Sequence, residues 1–439
     1  MASHMYHHKY KADWTSLDSR PLPGWYDDAK IGIFIHWGVY SVPAFENEWF
    51  WHSLKSGEAH FTHFMKRNFK PDFTYQEFAP MFTAEFFDPQ HWVKLFTAAG
   101  ARYVVLTAKH HDGYALWPSK FSANWNAVEV GPHRDIVGEL ATAIRKTSPL
   151  LRFGVSYSLM EWFHPLYLSD KKTGSKVFVT NKIRPELTEL VDTYKPEVIW
   201  AINDWEDGDK YSDIVSWLYN DSLVRDTVVV NDRWAKGTRR KHGDFWTSDS
   251  RFDHATLVAH KWENGAPMDR YSYGYRRNAS LQDYLSIEEI LRLLAETIST
   301  RGNLLINVGP SKDGTIPPLF EERLLQLGDW LKVNGEAVYS SRPWKVQNDP
   351  LTSYVWYTSS KDGKVVYAFV LRWPTGCVLT LGGVQVEHGS SVSMLGVEGT
   401  LEWEAMSDRT VVHFPELTVD LLPCRWAWVL KVVRKTPCY

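Results

Sequence analysis

Cysteine is scarce in this chain of 439 residues: Cys377, Cys424 and Cys438 are the only three, all lie near the end, and no CxxC pair occurs. That count and spacing exclude a thiolate zinc knuckle and a disulfide-dense scaffold; one bridge involving Cys438 stays open, its mate unassigned. Long apolar runs are also missing, and no segment has the length and apolarity of a membrane span. Charge of one sign does not dominate. Lys+Arg 49 against Asp+Glu 52 leaves a net −3, so neither nucleic acid nor an anionic membrane is expected as a partner. No GxGxxG or P-loop follows the first strand candidate, which removes support for a nucleotide-binding sheet. His-x-His spacing is absent beside the paired histidines, so no metal or other cofactor is expected there. Repeats, low-complexity stretches and long linkers are absent as well.

Aromatic residues are what the chain has in excess, with 22 Trp, 21 Tyr and 21 Phe. Most of these rings are expected in the core, but indoles and phenols also suit the C–H faces of sugar rings. From residue 28 to about 340, short apolar runs alternate with amphipathic helical patterns. The strand candidates are Ile31–His36, Tyr103–Ala108, Phe153–Ser158, Val198–Ala201, Thr227–Val230 and Asn303–Val308. Their lack of alternation predicts strands buried on both faces. Helices are predicted over Pro89–Ala98 after Asp88 and over Ile136–Lys146 after Asp135, each Asp an acceptable N-cap. A third opens on the capping box Ser286-Ile-Glu-Glu289, carries the stripe Ile287, Ile290, Leu291, Leu294 and Ile298, and stops at Gly302.

Repeated strand–helix units over this length predict an α/β class fold, a (β/α)8-like TIM barrel, rather than an open sheet. After Pro343-Trp344 the pattern becomes period two. Ser353–Thr358 and Lys364–Trp373 flank the turn Lys361-Asp362-Gly363-Lys364, and Val392–Leu395, Thr410–Phe414 and Ala427–Val432 follow. These predict a C-terminal antiparallel β-sandwich. The organisation read from the chain is therefore an N-terminal lead 1–13, a barrel 14–342 and a sandwich 343–439. Met1-Ala-Ser-His-Met5 has the character of cloning residue, so a native secretion signal is expected to have been removed. The sequons at Asn220 and Asn278 permit glycosylation in a secretory setting.

In such a barrel the C-terminal strand ends converge on one mouth. His36 ends the first strand, and Glu48-Trp49-Phe50-Trp51 follows in a loop, where a carboxylate among aromatics needs a partner or a ligand. His110 and His111 precede the Asp112-Gly113 turn, which they need if both are to reach one pocket. Ser156-Tyr157-Ser158 with Glu161-Trp162, and the acidic, aromatic stretch from Trp200 to Glu206, complete the set; Asp249, Arg251, Glu263 and Asp269 add charge downstream. Each alone is equally well explained as a satisfied core or solvated residue. Together they describe a pocket for a polyhydroxylated ring. Two carboxylates about 5–5.5 Å apart in it would make a retaining glycosidase.

Several segments carry a family resemblance. Gly32-Ile-Phe-Ile-His-Trp-Gly-Val-Tyr-Ser-Val-Pro-Ala44, Glu48-Trp-Phe-Trp51, Thr107-Ala-Lys-His-His-Asp-Gly-Tyr114, Tyr194-Lys-Pro-Glu-Val-Ile-Trp200, Val230-Asn-Asp-Arg-Trp234 and His260-Lys-Trp-Glu263 are among them. The chain resembles the α-L-fucosidases of glycoside hydrolase family 29, closest to the animal, lysosomal-type branch, from about Trp14 to Trp428. The resemblance implies a retaining exo-hydrolase that removes terminal α-L-fucose from glycoconjugates without a metal. It implies His36, Glu48, Trp49, His110 and His111 at the fucose hydroxyls, Tyr157 and Trp200 at the ring, Arg251 nearby, and Tyr273 facing the C5 methyl. Lysosomal or secreted placement and a homo-oligomer are further implications.

The catalytic positions depart from the family pattern. Family members read Trp-x-Asp where this chain has Trp200-Ala201-Ile202, so isoleucine occupies the nucleophile position. Three explanations stay open at this point: Asp204 substitutes from two residues along, Asp207-Gly208 is the true motif looped back, or the chain binds fucose without turnover. For the acid/base the candidates are Glu263 and Asp249, the latter in Asp249-Ser-Arg-Phe252.

Overall fold

The computed structural model describes residues 10–248 and 256–435. Eight parallel strands form one sheet: β1 Ile31–Ile35, β2 Tyr103–Lys109, β3 Arg152–Ser158, β4 Val198–Ile202, β5 Val229–Val230, β6 Trp246–Ser248, β7 Trp262–Pro267 and β8 Gly302–Val308. Their order, β5-β4-β3-β2-β1-β8-β7-β6, is that of a (β/α)8 barrel parted between β5 and β6. The two edges meet through Asp244. Its N–H donates to Val230 O at 2.9 Å and its carboxylate accepts the Val230 N–H at 2.8 Å, so the sheet curls toward closure.

Alternation along the strands separates two cores. Ile31, Ile33 and Ile35 of β1, Val104 and Leu106 of β2, and Ile199 and Ala201 of β4 face outward, toward the helices. Phe34, Tyr103, Val105, Val198, Trp200, Ile202 and Leu305 fill the barrel interior instead. Five of its eleven buried residues are aromatic, but most of the buried rings lie in the outer core.

All three expected helices are present, and their caps explain where they begin. Asp88 accepts the N–H groups of Gln90 and His91 ahead of Pro89–Ala98, and Asp135 accepts that of Gly138 ahead of Ile136–Thr147. Ser286 and Glu289 form the reciprocal box that opens Ile287–Ser299. Strands β6 and β7 are additions to the sequence reading. Trp246-Thr-Ser248 is only three residues long, and Trp262-Glu-Asn-Gly-Ala-Pro267 carries the residues least typical of a buried strand.

Beyond Arg342 two antiparallel sheets enclose a second, smaller core. Arg342–Asn348, Val355–Ser359, Val365–Val370, Ser391–Met394 and Trp428–Val433 make one sheet; Val378–Leu381, Trp403–Ala405 and Thr410–His413 make the other. Val355, Tyr357 and Leu430 of the first meet Leu379, Leu381 and Val412 of the second. The larger sheet leans on the long helix Pro318–Val338. Trp330 Nε1–H donates to Ala427 O at 2.9 Å, and Thr358 Oγ1–H donates to Ala337 O at 3.0 Å.

That helix also packs along Pro89–Ala98, with Gly328 pressed against the Ala98 backbone. A methyl on Gly328 would lie 1.8 Å from the Ala98 carbonyl oxygen. Gly328→Ala is therefore expected to lower the urea midpoint, its clash (about 1–3 kcal/mol) outweighing the gain of about 1 kcal/mol in helix propensity. A midpoint at or above that of the parent would mean the two helices separate freely.

Candidate active site

A cup of about 160 Å³ opens where the strand ends converge. Phe34 and His36 come from β1, and Glu48 and Trp49 from the loop after it. His110 and His111 follow β2; Trp200 and Ile202 end β4 and lead to Asp204 and Trp205. Arg233 from the loop after β5, Ser248 of β6, Gly265 of β7 and Tyr273 close the wall. A wider depression of about 590 Å³ lies against Tyr10, Arg20, Tyr219 and Arg225 but has no barrel-strand residue in its wall. Chemistry rather than volume singles out the cup.

Two of its imidazoles are held in one tautomer. Asn307 donates its amide to Tyr273 O at 2.7 Å, which turns Oδ1 toward His36 Nδ1, also at 2.7 Å. His36 Nδ1 therefore carries the proton, and Nε2 is a bare acceptor. Ser158 Oγ–H donates to Met160 O at 2.5 Å, so the Ser158 lone pair faces His111 Nδ1 at 2.6 Å and fixes the same tautomer. Burial holds both rings neutral, pushed down to about 3 from the usual imidazole value; the Asn307 contact raises His36 only in part. His110 is pushed well below its ordinary value by burial and by the two neighbouring imidazoles. Its Nδ1 has no hydrogen-bond partner among the described residues, a cost of about 1–3 kcal/mol unless a bound molecule supplies one.

Both histidines reach the cup because β2 does not end regularly. Its register with β3 shifts between Thr107 and Lys109, and Gly113 then turns the chain at φ 79°. A side chain there would run into the Glu161 carboxylate, 2.8 Å from the site of its Cβ. Lys109, fully buried, is anchored by Glu161 and Glu186, each 2.8 Å away. Burial alone would strip its proton, but the two carboxylates hold its pKa above the ordinary lysine value.

Glu48 is fastened by the chain that carries Tyr273. Its Oε2 accepts the Tyr273 and Gly274 N–H groups at 3.2 and 3.1 Å and the Ser272 hydroxyl at 3.4 Å. Burial raises its pKa, and those donors offset part of the rise. Elsewhere in the same wall, Asp204 Oδ2 pairs with Arg233 at 2.7 Å and with Arg239 at 3.7 Å. The Arg233 guanidinium lies 4.9 Å over the Trp200 ring and donates through Nε to Thr247 Oγ1 at 2.6 Å. Ile202, 7% exposed, packs with Trp200 and Phe34 beneath this pair.

The structure brings together His36, Glu48, Trp49, His110, His111, Trp200, Asp204 and Tyr273, but not every expected residue. Glu263 is not part of the wall. It is the second residue of β7, one layer below Gly265, and its hydrogen bonds are internal: Oε2 accepts from Tyr26 at 2.8 Å and Tyr103 at 2.6 Å, and Oε1 from Trp200 Nε1 at 2.8 Å. Tyr157 also stands outside the wall. Strand alternation turns it outward, where its hydroxyl donates to Glu186 at 2.7 Å, while Ser158 faces the cup's histidine. Asp207 is exposed and outside the wall, which leaves the looped-back motif without geometry. Asp249 and Arg251 lie outside the described residues. Sequence reasoning passed over Phe34, Arg233 and Trp205. Arg233 had a signal, since Asn231-Asp-Arg-Trp234 directly follows a strand candidate and so had to sit at the mouth.

Known proteins resemble this chain in sequence and in fold. Residues 1–336 match the family model described as Alpha-L-fucosidase, and residues 347–433 match the Alpha-L-fucosidase C-terminal domain. The chain is 51% identical over 432 residues to an alpha-L-fucosidase of Branchiostoma floridae, covering 97% of this chain and 96% of that protein. It is 49% identical to the human tissue alpha-L-fucosidase, covering 97% and 92% of the two chains. The crystal structure of Thermotoga maritima alpha-fucosidase in complex with fucose superposes with a TM-score of 0.84 at 34% identity, over 97% of this chain and all of that one.

The neutral imidazoles give a pH test. An unfolded histidine takes up a proton below about 6.5, whereas folded His36 does so only near 3, so this residue's contribution to stability is lost as pH falls through that interval. Other buried groups titrate too, so the slopes of two proteins must be compared. Between pH 6.5 and 4.5, His36→Asn is expected to lose stability less steeply than the parent, by roughly 1 kcal/mol per pH unit in urea titrations. Parallel slopes would mean that His36 is protonated in the folded chain.

Proposed function

The chain belongs to the α-L-fucosidase family of glycoside hydrolases, and we propose that it releases terminal α-L-fucose from fucosylated glycoconjugates by double displacement in the cup at the barrel mouth. One observation carries this reading: the wall pairs bare imidazole nitrogens and a carboxylate with aromatic faces. His36 and His111 can accept sugar O–H groups through Nε2, and Glu48 can accept another. Phe34, Trp49 and Tyr273 offer surfaces for the C–H edge and methyl of a 6-deoxy sugar. The match to hydrolases along nearly the whole length favours turnover over a purely binding relative.

In this reading Asp204 does the work that Ile202 cannot, as nucleophile or as the anion that stabilises an oxocarbenium ion. Its support is that Asp204 lines the cup two residues beyond Ile202, with Arg233 holding its orientation. Asp249 takes the acid/base role, because it follows the wall residue Ser248 in sequence and because Glu263 is committed to three internal donors. Residues 14–342 act as the catalytic unit and 343–439 as its companion. The tissue and plasma names of the animal relatives favour a lysosomal or secreted protein, consistent with the absence, among the described residues, of a helix able to cross a membrane. Association into a symmetric homo-oligomer accords with the general preference of such proteins.

Turnover of an aryl α-L-fucoside, beside calorimetric binding of L-fucose, tests the reading. The parent is expected to do both. Asp204→Asn should lower kcat at least about a hundredfold with fucose affinity changed much less, and Ile202→Asp should raise kcat by a similar factor. Fucose binding without any turnover in the parent would remove the hydrolase mechanism. For the acid/base, Glu263→Gln should destabilise the fold by about 1–3 kcal/mol, since an amide nitrogen now meets a donor. It should leave the shape of the pH–rate profile intact; loss of one limb of that profile would return Glu263 to the chemistry.

A further inference from the structure

The cup holds one ring, yet a glycoconjugate continues past the fucose. At about 160 Å³ the space below the rim suits a single monosaccharide, so whatever carries the fucose must leave through the mouth. One residue of the wall also faces outward there. Trp205 lines the cup and is nevertheless 50% exposed, unlike Trp49 and Trp162 beside it.

Its position is braced rather than loose. The Trp205 ring meets the edge of Trp49 at 5.3 Å and 69°, and of His111 at 5.5 Å and 80°. Trp49 leans in turn on Trp162 at 5.1 Å and on His52 at 5.4 Å. A half-exposed indole supported edge-on by buried His111 and partly buried Trp49 presents a preorganised apolar face with little entropy left to lose on binding. Next to it in sequence, Asp204 is paired with Arg239, whose side chain is 36% exposed and brings guanidinium donors to the same side of the cup.

From this we infer a second subsite: Trp205 stacks against the pyranose that bears the fucose, with Arg239 offering hydrogen bonds to its hydroxyls. The subsite rests on the reading of the cup as a fucose site. Its ligand class is a hexopyranose with one face of axial C–H bonds, as a β-galactoside presents. Aromatic contact to that face selects the glycan rather than the fucose and makes Trp205 a specificity residue.

Calorimetry with two ligands separates this from the parent reading. The ligands are L-fucose and a sulfur-linked α-L-fucosyl-β-D-galactoside, which resists hydrolysis; the proteins are the parent, Trp205→Phe and Trp205→Ala. In the parent the disaccharide should bind more tightly than fucose. Trp205→Ala should lose about tenfold more affinity for the disaccharide than for fucose, and Trp205→Phe should recover most of the difference. Equal losses for both ligands would overturn the subsite and make Trp205 only a wall of the cup. No fucose binding by the folded parent would instead overturn the underlying reading of the cup. Unfolding temperatures of both variants within a few degrees of the parent certify the comparison, which the exposure of Trp205 leads one to expect.

Discussion

A single buried carboxylate ties the floor of this barrel together. Glu263 takes the hydroxyls of Tyr26 and Tyr103 and the indole N–H of Trp200, and so joins the N-terminal helix Gly24–Ala29, β2, β4 and β7 across the interior. Burial alone drives such a group toward its neutral form, and here its pKa is raised; its three donors and nearby Lys261 resist that drift. Removing the acceptor would strand three buried donors at once, which is why this polar layer has to be complete. The Trp200 ring it orients is the platform for Arg233, and Arg233 in turn fixes Asp204. Recognition at the mouth is thus set from one layer below.

The imidazoles depend on a parallel arrangement. Neither His36 nor His111 needs a ligand to fix its tautomer. Each is oriented beforehand by a group whose own proton is already placed, Asn307 in one case and Ser158 in the other. Such prior orientation means a ligand meets acceptors that need no rearrangement, the usual source of selectivity in a small polar pocket.

How much of this was legible in the sequence follows from what each residue contributes to burial. Strands β1 to β4 and β8 announce themselves because their residues are apolar on both faces. Strands β6 and β7 do not, because Thr247, Glu263 and Asn264 trade hydrophobicity for internal hydrogen bonds that only the closed barrel reveals. Strand-end histidines and Glu48 were readable, since polar groups at the ends of apolar runs have to meet. The outward position of Tyr157 was not readable, because one residue of alternation separates the inner face from the outer, and a tyrosine fits either. The depth of Glu263 was hidden for a different reason: a carboxylate in a barrel strand gives no sign in sequence of which layer it occupies. Isoleucine at 202 was plain in the sequence, while the ion pair that holds Asp204 two residues on required coordinates.

The loop at 272–274 links parts of the wall that the chain keeps far apart. Its backbone N–H groups hold Glu48, and its Tyr273 carbonyl holds Asn307, which holds His36. Three contributors from three regions therefore share one hinge of hydrogen bonds. Substitutions among them should not act independently, because shifting the loop moves an acid and an imidazole together. Evolution of a new sugar preference in this scaffold would then have to travel through paired changes, with epistasis confining the order in which they can be accepted.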